Sequence, residues 1–158
     1  MNSTGTHRRG SHIGLPALAG LAILLTSGPV GAEPPTLAGD TVVVVVSASS
    51  SVTEISRLHL ADLYMGRITR FPNGTPAAPV DQKAGSPARA SFLDTYLDRS
   101  ESQMKSYWSK LIFTGRGRPP REAASDQAVK ELLARDPNAI GYIDPRVLDS
   151  RVRRVRVQ

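Results

Sequence analysis

Residues 80–92, VDQKAGSPARASF, contain the end of an apolar strand, a glycine turn and the first turns of a helix. Ser86 is a favourable N-cap because its hydroxyl can accept a hydrogen bond from an amide of the first helical turn. Pro87 suits the first helical position, where its missing N–H removes no donor that the helix needs. The segment therefore predicts a strand–turn–helix unit, with the helix beginning directly after Ser86.

The same turn carries two cations in an unusual position. Lys83 precedes the helix and Arg89 lies in its first turn, whereas cations are usually found at the other end of a helix. Together with the amides of the first turn, they concentrate positive potential where an anion can bind. One interpretation is an anion-binding site formed by Gly85, Ser86, Arg89 and Lys83. The alternative, an ordinary capped helix with solvated basic side chains, stays open.

Strand and helix patterns alternate on both sides of this turn. Residues 42–46 are five consecutive valines, a run typical of a strand that is covered on both faces. Further strands are expected at residues 67–70, 78–82 and 139–143. Apolar spacing and serine N-caps predict helices at residues 56–64, 86–97 and 125–134, with another beginning after residue 100. This order predicts an α/β fold with three layers, in which helices flank a mixed sheet.

Two segments keep an alternative open. The helix after Ser100 is expected to bury a face that includes Trp108 and Ile112, although a ligand-stacking role for the tryptophan is the other interpretation. The tail at residues 151–158 alternates valine with arginine imperfectly. It is interpreted as an edge strand whose charges block further pairing, and the alternative is a basic arm for an acidic partner.

The N-terminus has the pattern of a secretory signal peptide. Arg8 and Arg9 precede an apolar run at residues 13–25, and small residues lead to a cleavage site after Ala32. The sequence therefore predicts a signal peptide at residues 1–32, a flexible leader at 33–39 and one α/β domain at 40–158. The protein is expected in the periplasm or outside the cell, by the Sec or the twin-arginine route. An uncleaved N-terminal anchor is the alternative.

Composition narrows the function classes. The chain has 158 residues, a net charge of +6 and no cysteine, so it forms no disulfide. A basic chain suggests nucleic acid, but export and the 5% aromatic content argue against such a partner. Beyond the leader the chain has one histidine, His59, and it shows no nucleophile elbow or histidine pair spaced for a metal. The sequence therefore predicts a protein that is not an enzyme, without catalytic residues, a metal or a cofactor.

Several short motifs resemble those of bacterial periplasmic phosphate-binding proteins. Residues 60–67, LADLYMGR, are similar to the family's L-x-D-I-Y-L-G-K segment, and Gly85 and Ser86 stand at its glycine–serine turn. Phe92 matches the phenylalanine that follows the turn. Similar residues recur in the family's order in FTGRG at 113–117, SD at 125–126 and PNAIGYI at 137–143. The resemblance covers roughly residues 41–144 and implies the fold of a type II periplasmic binding protein.

The chain departs from that family in two ways. It has the length of one lobe of a two-lobed receptor, and Val80 or Asp81 stands where the family has its phosphate-gripping arginine. Only Gly85 and Ser86 are carried over from the family, and Arg89 and Lys83 are our own candidates for the missing charge. An acidic Asp81 would repel phosphate unless it is protonated or paired with one of these two cations.

Two functions follow from the resemblance and its departures. The first is an exported solute-binding-like protein, related to the substrate-binding component of a phosphate ABC transporter, that binds phosphate or another oxyanion weakly. The second is a periplasmic interaction or signalling accessory without a small ligand, which would contact its partner through the loop at residues 116–118. An ABC permease or a signalling protein is the expected partner. A homodimer that rebuilds the two-lobed receptor also stays open.

Overall fold

The computed structural model describes residues 41–158. The signal peptide, the cleavage after Ala32 and the leader fall outside these residues and stay predictions, as does a domain that begins at residue 40. Residues 41–158 contain seven strands: β1 Val43–Ser47, β2 Glu54–Ile55, β3 Ala78–Gln82, β4 Arg121–Ala123, β5 Ala139–Ile143, β6 Val152–Arg154 and β7 Arg156–Val157. The same residues contain four α-helices: α1 Arg57–Tyr64, α2 Pro87–Phe92, α3 Glu101–Phe113 and α4 Asp126–Arg135. Within this part of the chain, no helix combines the length and apolarity that a membrane span requires.

The main sheet is mixed and has the strand order β4-β3-β5-β1-β6. β3 runs parallel to both β4 and β5, whereas β1 is antiparallel to β5 and β6. β2 and β7 form a separate parallel pair. Because β3, β4 and β5 run the same way, their carboxyl ends meet at one edge of the sheet, where the predicted turn follows β3.

The valine run of β1 is buried on both faces, as its composition predicts. Val44 and Val46 belong to the larger apolar cluster, which α1, α2 and α3 cover. Val43 and Val45 belong to the second cluster, which α4 covers. The sheet therefore lies between two helical layers, and the predicted three-layer α/β arrangement is confirmed.

Serine side chains begin all four helices, as predicted. The hydroxyls of Ser56, Ser86, Ser100 and Ser125 each accept a hydrogen bond from the amide three residues further on. At Ser100 this bond is part of a complete capping box. Each cap satisfies a first-turn amide that has no partner inside its helix, so the local sequence fixes where every helix begins.

The predicted helix at residues 86–97 has two parts. α2 ends at Phe92, and a π-helical turn, Leu93–Leu97, follows it. Asp98 ends this turn in the left-handed conformation, with φ of 54°. The apolar side chains of the segment still face the core, since Phe92, Leu93 and Leu97 are buried.

Three further expectations need correction. Residues 67–70 form no strand and contribute only an isolated bridge between Arg70 and Pro76. Ile112 is 57% exposed, because the inward face of α3 is formed by Met104 and Trp108. The tail forms two short strands, of which β6 is the predicted edge strand and β7 leaves the main sheet to pair with β2.

Candidate functional site

The predicted turn connects β3 to α2 at the carboxyl edge of the sheet. Gly85 adopts φ of 82°, a backbone conformation that glycine reaches without strain. The Ser86 amide donates to the Lys83 carbonyl at 3.2 Å, and the Lys83 amide donates to the Ala123 carbonyl of the neighbouring strand at 3.0 Å. The turn is therefore tied to both β3 and β4, and Gly85 remains exposed to water.

A cleft of about 800 Å³ opens beside this turn. Its wall is formed by Thr41, Gln82, Ser86, Pro87, Ala88, Ser91, Ala124, Ser125, Asp126, Asp144, Pro145 and Arg146. The cation among them is already paired, because Arg146 Nε lies 3.0 Å from both carboxylate oxygens of Asp144. The same hydrogen bonds lower the pKa of Asp144 to about 2. With Asp126 also in its wall, the cleft carries no unpaired positive charge.

A carboxylate of the chain itself accepts the hydrogen bonds of the Gly85 amide. This N–H donates to both oxygens of Glu101, at 3.1 Å each. Arg89 Nη1 lies 3.7 Å from the same carboxylate. Glu101 is the first residue of α3, so the capping box at Ser100 sets its position. The turn therefore binds an oxyanion-like group, and that group belongs to the protein.

Arg89 is paired a second time, with Asp81. Its Nε lies 3.0 Å from Asp81 Oδ2, and the two side chains are only 11% and 12% exposed. The other oxygen, Oδ1, accepts hydrogen bonds from the Tyr142 hydroxyl at 2.5 Å and from the Gln82 amide at 2.9 Å. Burial, and then the negative charge of Asp81, raise the pKa of Tyr142 far above its usual value. Asp81 is thus a paired and hydrogen-bonded carboxylate.

Gln82 connects the turn to the opposite side of the cleft. Its side-chain amide donates to Asp126 Oδ1 at 2.6 Å and to the Tyr142 carbonyl at 3.1 Å. Its side-chain oxygen lies 3.4 Å from the Ser86 hydroxyl, which donates to it. Ser86 also accepts from the Arg89 amide at 3.1 Å, so both hydrogen-bonding roles of this hydroxyl are in use.

The structure brings three of the four predicted site residues together. Gly85, Ser86 and Arg89 share one network, whereas the Lys83 side chain is exposed and makes no ion pair or hydrogen bond within residues 41–158. Lys83 and Arg89 were the two possible partners of Asp81 in the sequence, and Arg89 is the one that pairs with it. The sequence reasoning missed Glu101 and Tyr142, which enter from α3 and β5.

His59 makes a hydrogen bond to the backbone. Its Nε2 lies 2.8 Å from the Arg70 carbonyl, and the nearby Asp62 is paired with Arg67 at 3.0 Å. His59 and Asp62 each therefore contact another residue. Across residues 41–158, no three His, Cys, Asp or Glu side chains are placed to hold a metal ion.

Comparisons with known proteins identify the fold. No family model matches the chain. A structure from Clostridium perfringens, described as a phosphate ABC transporter substrate-binding protein with bound phosphate, matches with a TM-score of 0.60 at 20% identity, covering 75% of this chain and 45% of that one. An ABC-type phosphate transport receptor from Vibrio cholerae matches with a TM-score of 0.59 at 23% identity, covering 75% and 46%.

A protein from Planctomyces limnophilus, described as a phosphate-binding protein, matches with a TM-score of 0.54 at 11% identity, covering 75% and 42%. The chain thus spans less than half the length of each of these proteins. At such identities the likeness concerns the fold. The predicted α/β fold is therefore confirmed, and it is the fold of one lobe of phosphate-transport substrate-binding proteins.

Proposed function

We propose that the chain is an exported solute-binding-like protein that binds phosphate or a related oxyanion weakly at the Gly85–Ser86 turn. The observation that supports it most directly is the bidentate contact between the Gly85 amide and the Glu101 carboxylate. This amide already donates to two oxygens of an anionic group, which supports its use by the oxygens of a phosphate or sulfate. The turn also lies at the carboxyl edge of the sheet, where open α/β folds bind ligands.

The same contact makes free oxyanions weak ligands. Micromolar affinity needs about 8 kcal/mol, whereas a hydrogen bond to a charged group contributes about 1.5–3 kcal/mol. An incoming anion must displace Glu101, and it finds Arg89 already neutralised by Asp81. We expect a dissociation constant of about 1 mM that rises with salt because the exposed part of the site is screened.

The test compares wild type with Glu101→Gln by isothermal titration with phosphate at low salt. The variant removes the internal anion, so phosphate should bind at least about tenfold more tightly, since about 1.4 kcal/mol is enough for that gain. Glu122→Gln is the matched control. Glu122 is exposed on β4, and its substitution removes the same charge away from the turn. Equal affinities of the two variants, or a wild-type dissociation constant below about 10 μM, would contradict the proposal.

A second candidate is a periplasmic interaction or signalling accessory that binds no small ligand. The specific observation in its favour is the double pairing of Arg89, with Asp81 and with Glu101. Such a module would act on an ABC permease, on a signalling protein or on a second copy that supplies the opposing lobe. Both candidates are binding functions, and neither uses a catalytic residue.

Thermal melting separates the two candidates. A ligand raises the melting temperature once its concentration exceeds its dissociation constant. Phosphate at about 10–50 mM should therefore stabilise the protein more than a salt of matched ionic strength if the first candidate holds. No difference between the two salts supports the accessory. Light scattering on the same samples measures whether two copies associate.

A further inference from the structure

The C-terminal end of α3 exposes two neighbouring apolar side chains. Phe113 is 92% exposed and Ile112 is 57% exposed, although both continue a helix whose Trp108 is buried at 7%. We call Ile112, Phe113 and the loop at residues 114–118 the α3 tip. Leaving almost the whole side chain of a phenylalanine in water costs free energy, and contiguous exposed apolar surface is a feature of interaction sites.

The α3 tip lies in a long stretch of the chain that has no acidic residue. Between Glu101 and Glu122 the sequence contains no acidic residue and five basic ones: Lys105, Lys110, Arg116, Arg118 and Arg121. None of these five side chains forms an ion pair or a hydrogen bond within residues 41–158. Of these five, Arg116 and Arg118 line one shallow surface pocket with Ile112, so the surface beside the apolar pair carries cations that are free to meet an anionic partner.

The carbonyls of Lys110, Leu111 and Ile112, in the last turn of α3, are already hydrogen-bonded. The Thr114 hydroxyl lies 2.9 Å from the Lys110 carbonyl and 3.2 Å from the Leu111 carbonyl. The Gly115 amide donates to Ile112 at 3.1 Å, and the Arg116 amide donates to Leu111 at 2.9 Å. The last carbonyls of a helix have no partner inside the regular helix and must be satisfied by the following turn, by side chains or by water. Here the tip can leave water without stranding these polar groups, which an apolar environment would penalise.

We propose that the α3 tip docks on an anionic lipid surface. Phe113 and Ile112 enter the boundary between headgroups and acyl chains, and the flanking arginines contact lipid phosphates. Apolar side chains together with nearby Lys and Arg are the features that bind proteins to such interfaces. A lipid surface needs protruding apolar groups and free cations, both of which the tip has, whereas an acidic protein would need a matching pocket for Phe113.

This docking surface is independent of the oxyanion proposal. Glu101 and Phe113 are the first and last residues of α3, so they are about 18 Å apart along the helix axis. The lipid-binding face therefore uses none of the residues of the Gly85–Ser86 turn, and each proposal can fail without the other.

A fluorescence experiment on the full chain tests the proposal. Since the chain has no cysteine, Ser109→Cys places an environment-sensitive label on the exposed surface of α3, and Ala134→Cys places a control label near the end of α4. The vesicles are phosphatidylcholine alone and phosphatidylcholine with about one third phosphatidylglycerol. We expect a blue shift at residue 109, and not at residue 134, with the anionic vesicles.

Two pairs of variants locate the contact. Phe113→Ser should weaken vesicle binding about tenfold or more, while Leu58→Ser, which alters another exposed apolar residue at 72% exposure, should not. Replacing Arg116 and Arg118 together by glutamine should weaken binding about 25-fold. The same double change at Arg135 and Arg156 should have a clearly smaller effect. Because every variant shares residues 1–40, any contribution from that segment is common to all of them.

Three results would overturn the proposal. The first is an equal shift at both labels, or no shift at all, with anionic vesicles. The second is a Phe113→Ser variant that binds vesicles as well as Leu58→Ser does. The third is concentration-dependent self-association in the absence of lipid that Phe113→Ser abolishes, because that would assign the α3 tip to a second copy of the chain.

Discussion

Arg89 and Asp81 form an ion pair within the candidate site, with Nε 3.0 Å from Oδ2 and both side chains close to 90% buried. Arg89, which the sequence suggested as a ligand for an external anion, is thus neutralised by Asp81 of the preceding strand, β3. Glu101 completes the arrangement because its carboxylate accepts hydrogen bonds from the Gly85 amide. The turn thus holds two carboxylates of its own, so we expect its affinity for a free oxyanion to be low.

Replacing one partner of the Arg89–Asp81 pair should cost more free energy of unfolding, per side chain, than replacing both partners together. Asp81→Asn leaves the arginine with the more distant Glu101, so we expect a loss of about 3 kcal/mol in the free energy of unfolding. The double variant Asp81→Asn with Arg89→Met should lose less than the sum of the single variants, because no charge is left unpaired. Urea unfolding measures both.

The exposed pair of Asp62 with Arg67 is the control for this cycle. Asp62→Asn should cost less than about 1 kcal/mol, since water can replace the contact. Additive losses at Asp81 and Arg89 would show that the two side chains do not stabilise each other.

Tyr142 should make the protein sensitive to alkali. Burial, and then the charge of Asp81, hold its pKa far above the usual value of 10, so the folded state keeps a proton that the unfolded state loses. Stability is therefore full below about pH 10 and falls as the pH rises further. Tyr142→Phe should cost about 1–3 kcal/mol at neutral pH, because Asp81 loses a donor, but it should flatten the alkaline decline. Unfolding measured from pH 8 to pH 11 tests this, and an unchanged alkaline slope in the variant would refute it.

Asp149 should contribute stability that disappears in acid. Hydrogen bonds from Arg151, and then from Lys130, lower the pKa of this carboxyl. Its contribution is therefore complete above the usual aspartate value of about 4 and is lost as the pH falls below it. Asp149→Asn should destabilise the protein at pH 7, because the buried Lys130 amine keeps only the Val147 carbonyl. The difference from wild type should shrink below about pH 4.

Asp144→Asn is the comparison for this acid-sensitive contact. Its partner Arg146 is exposed and can return to water, so the loss at pH 7 should be smaller than for Asp149→Asn. Denaturant midpoints at pH 7 and in acid measure both variants. A larger loss at Asp144 would contradict the importance of burial at Lys130.

Local sequence was sufficient for the features that depend on neighbouring residues. The serine caps, the buried valine strand and the strand–turn–helix unit at Ser86 all follow from hydrogen bonding or apolar pattern within a few positions. Arg89 was also recognised as part of the turn. Its partner Glu101 was not, because it reaches Gly85 only after a π-helical turn and a left-handed Asp98 redirect the chain.

Long-range partners were hidden for a different reason. Tyr142 meets Asp81 because β3 and β5 are parallel neighbours, and no pattern around either residue specifies that register. The exposure of Ile112 has a similar origin, since the helical period allows several inward faces and the sheet selects one. Sequence therefore located the turn, while the topology determined that Arg89 is paired with Asp81 and Glu101 of the chain itself.

Replacing Gly141 should destabilise the protein because side chains of α4 pack against this position. A Cβ at this position of β5 would lie 2.7 Å from Val129 Cγ1 and 3.4 Å from Leu133 Cδ1, so two side chains of α4 make the close approach. Gly141→Ala should cost about 1–3 kcal/mol through overpacking. Adding Val129→Ala should recover part of that loss. Gly117→Ala, whose nearest neighbour is 3.4 Å away on Trp108, should cost less, and equal unfolding free energies for the two alanine variants would show that α4 can move to make room.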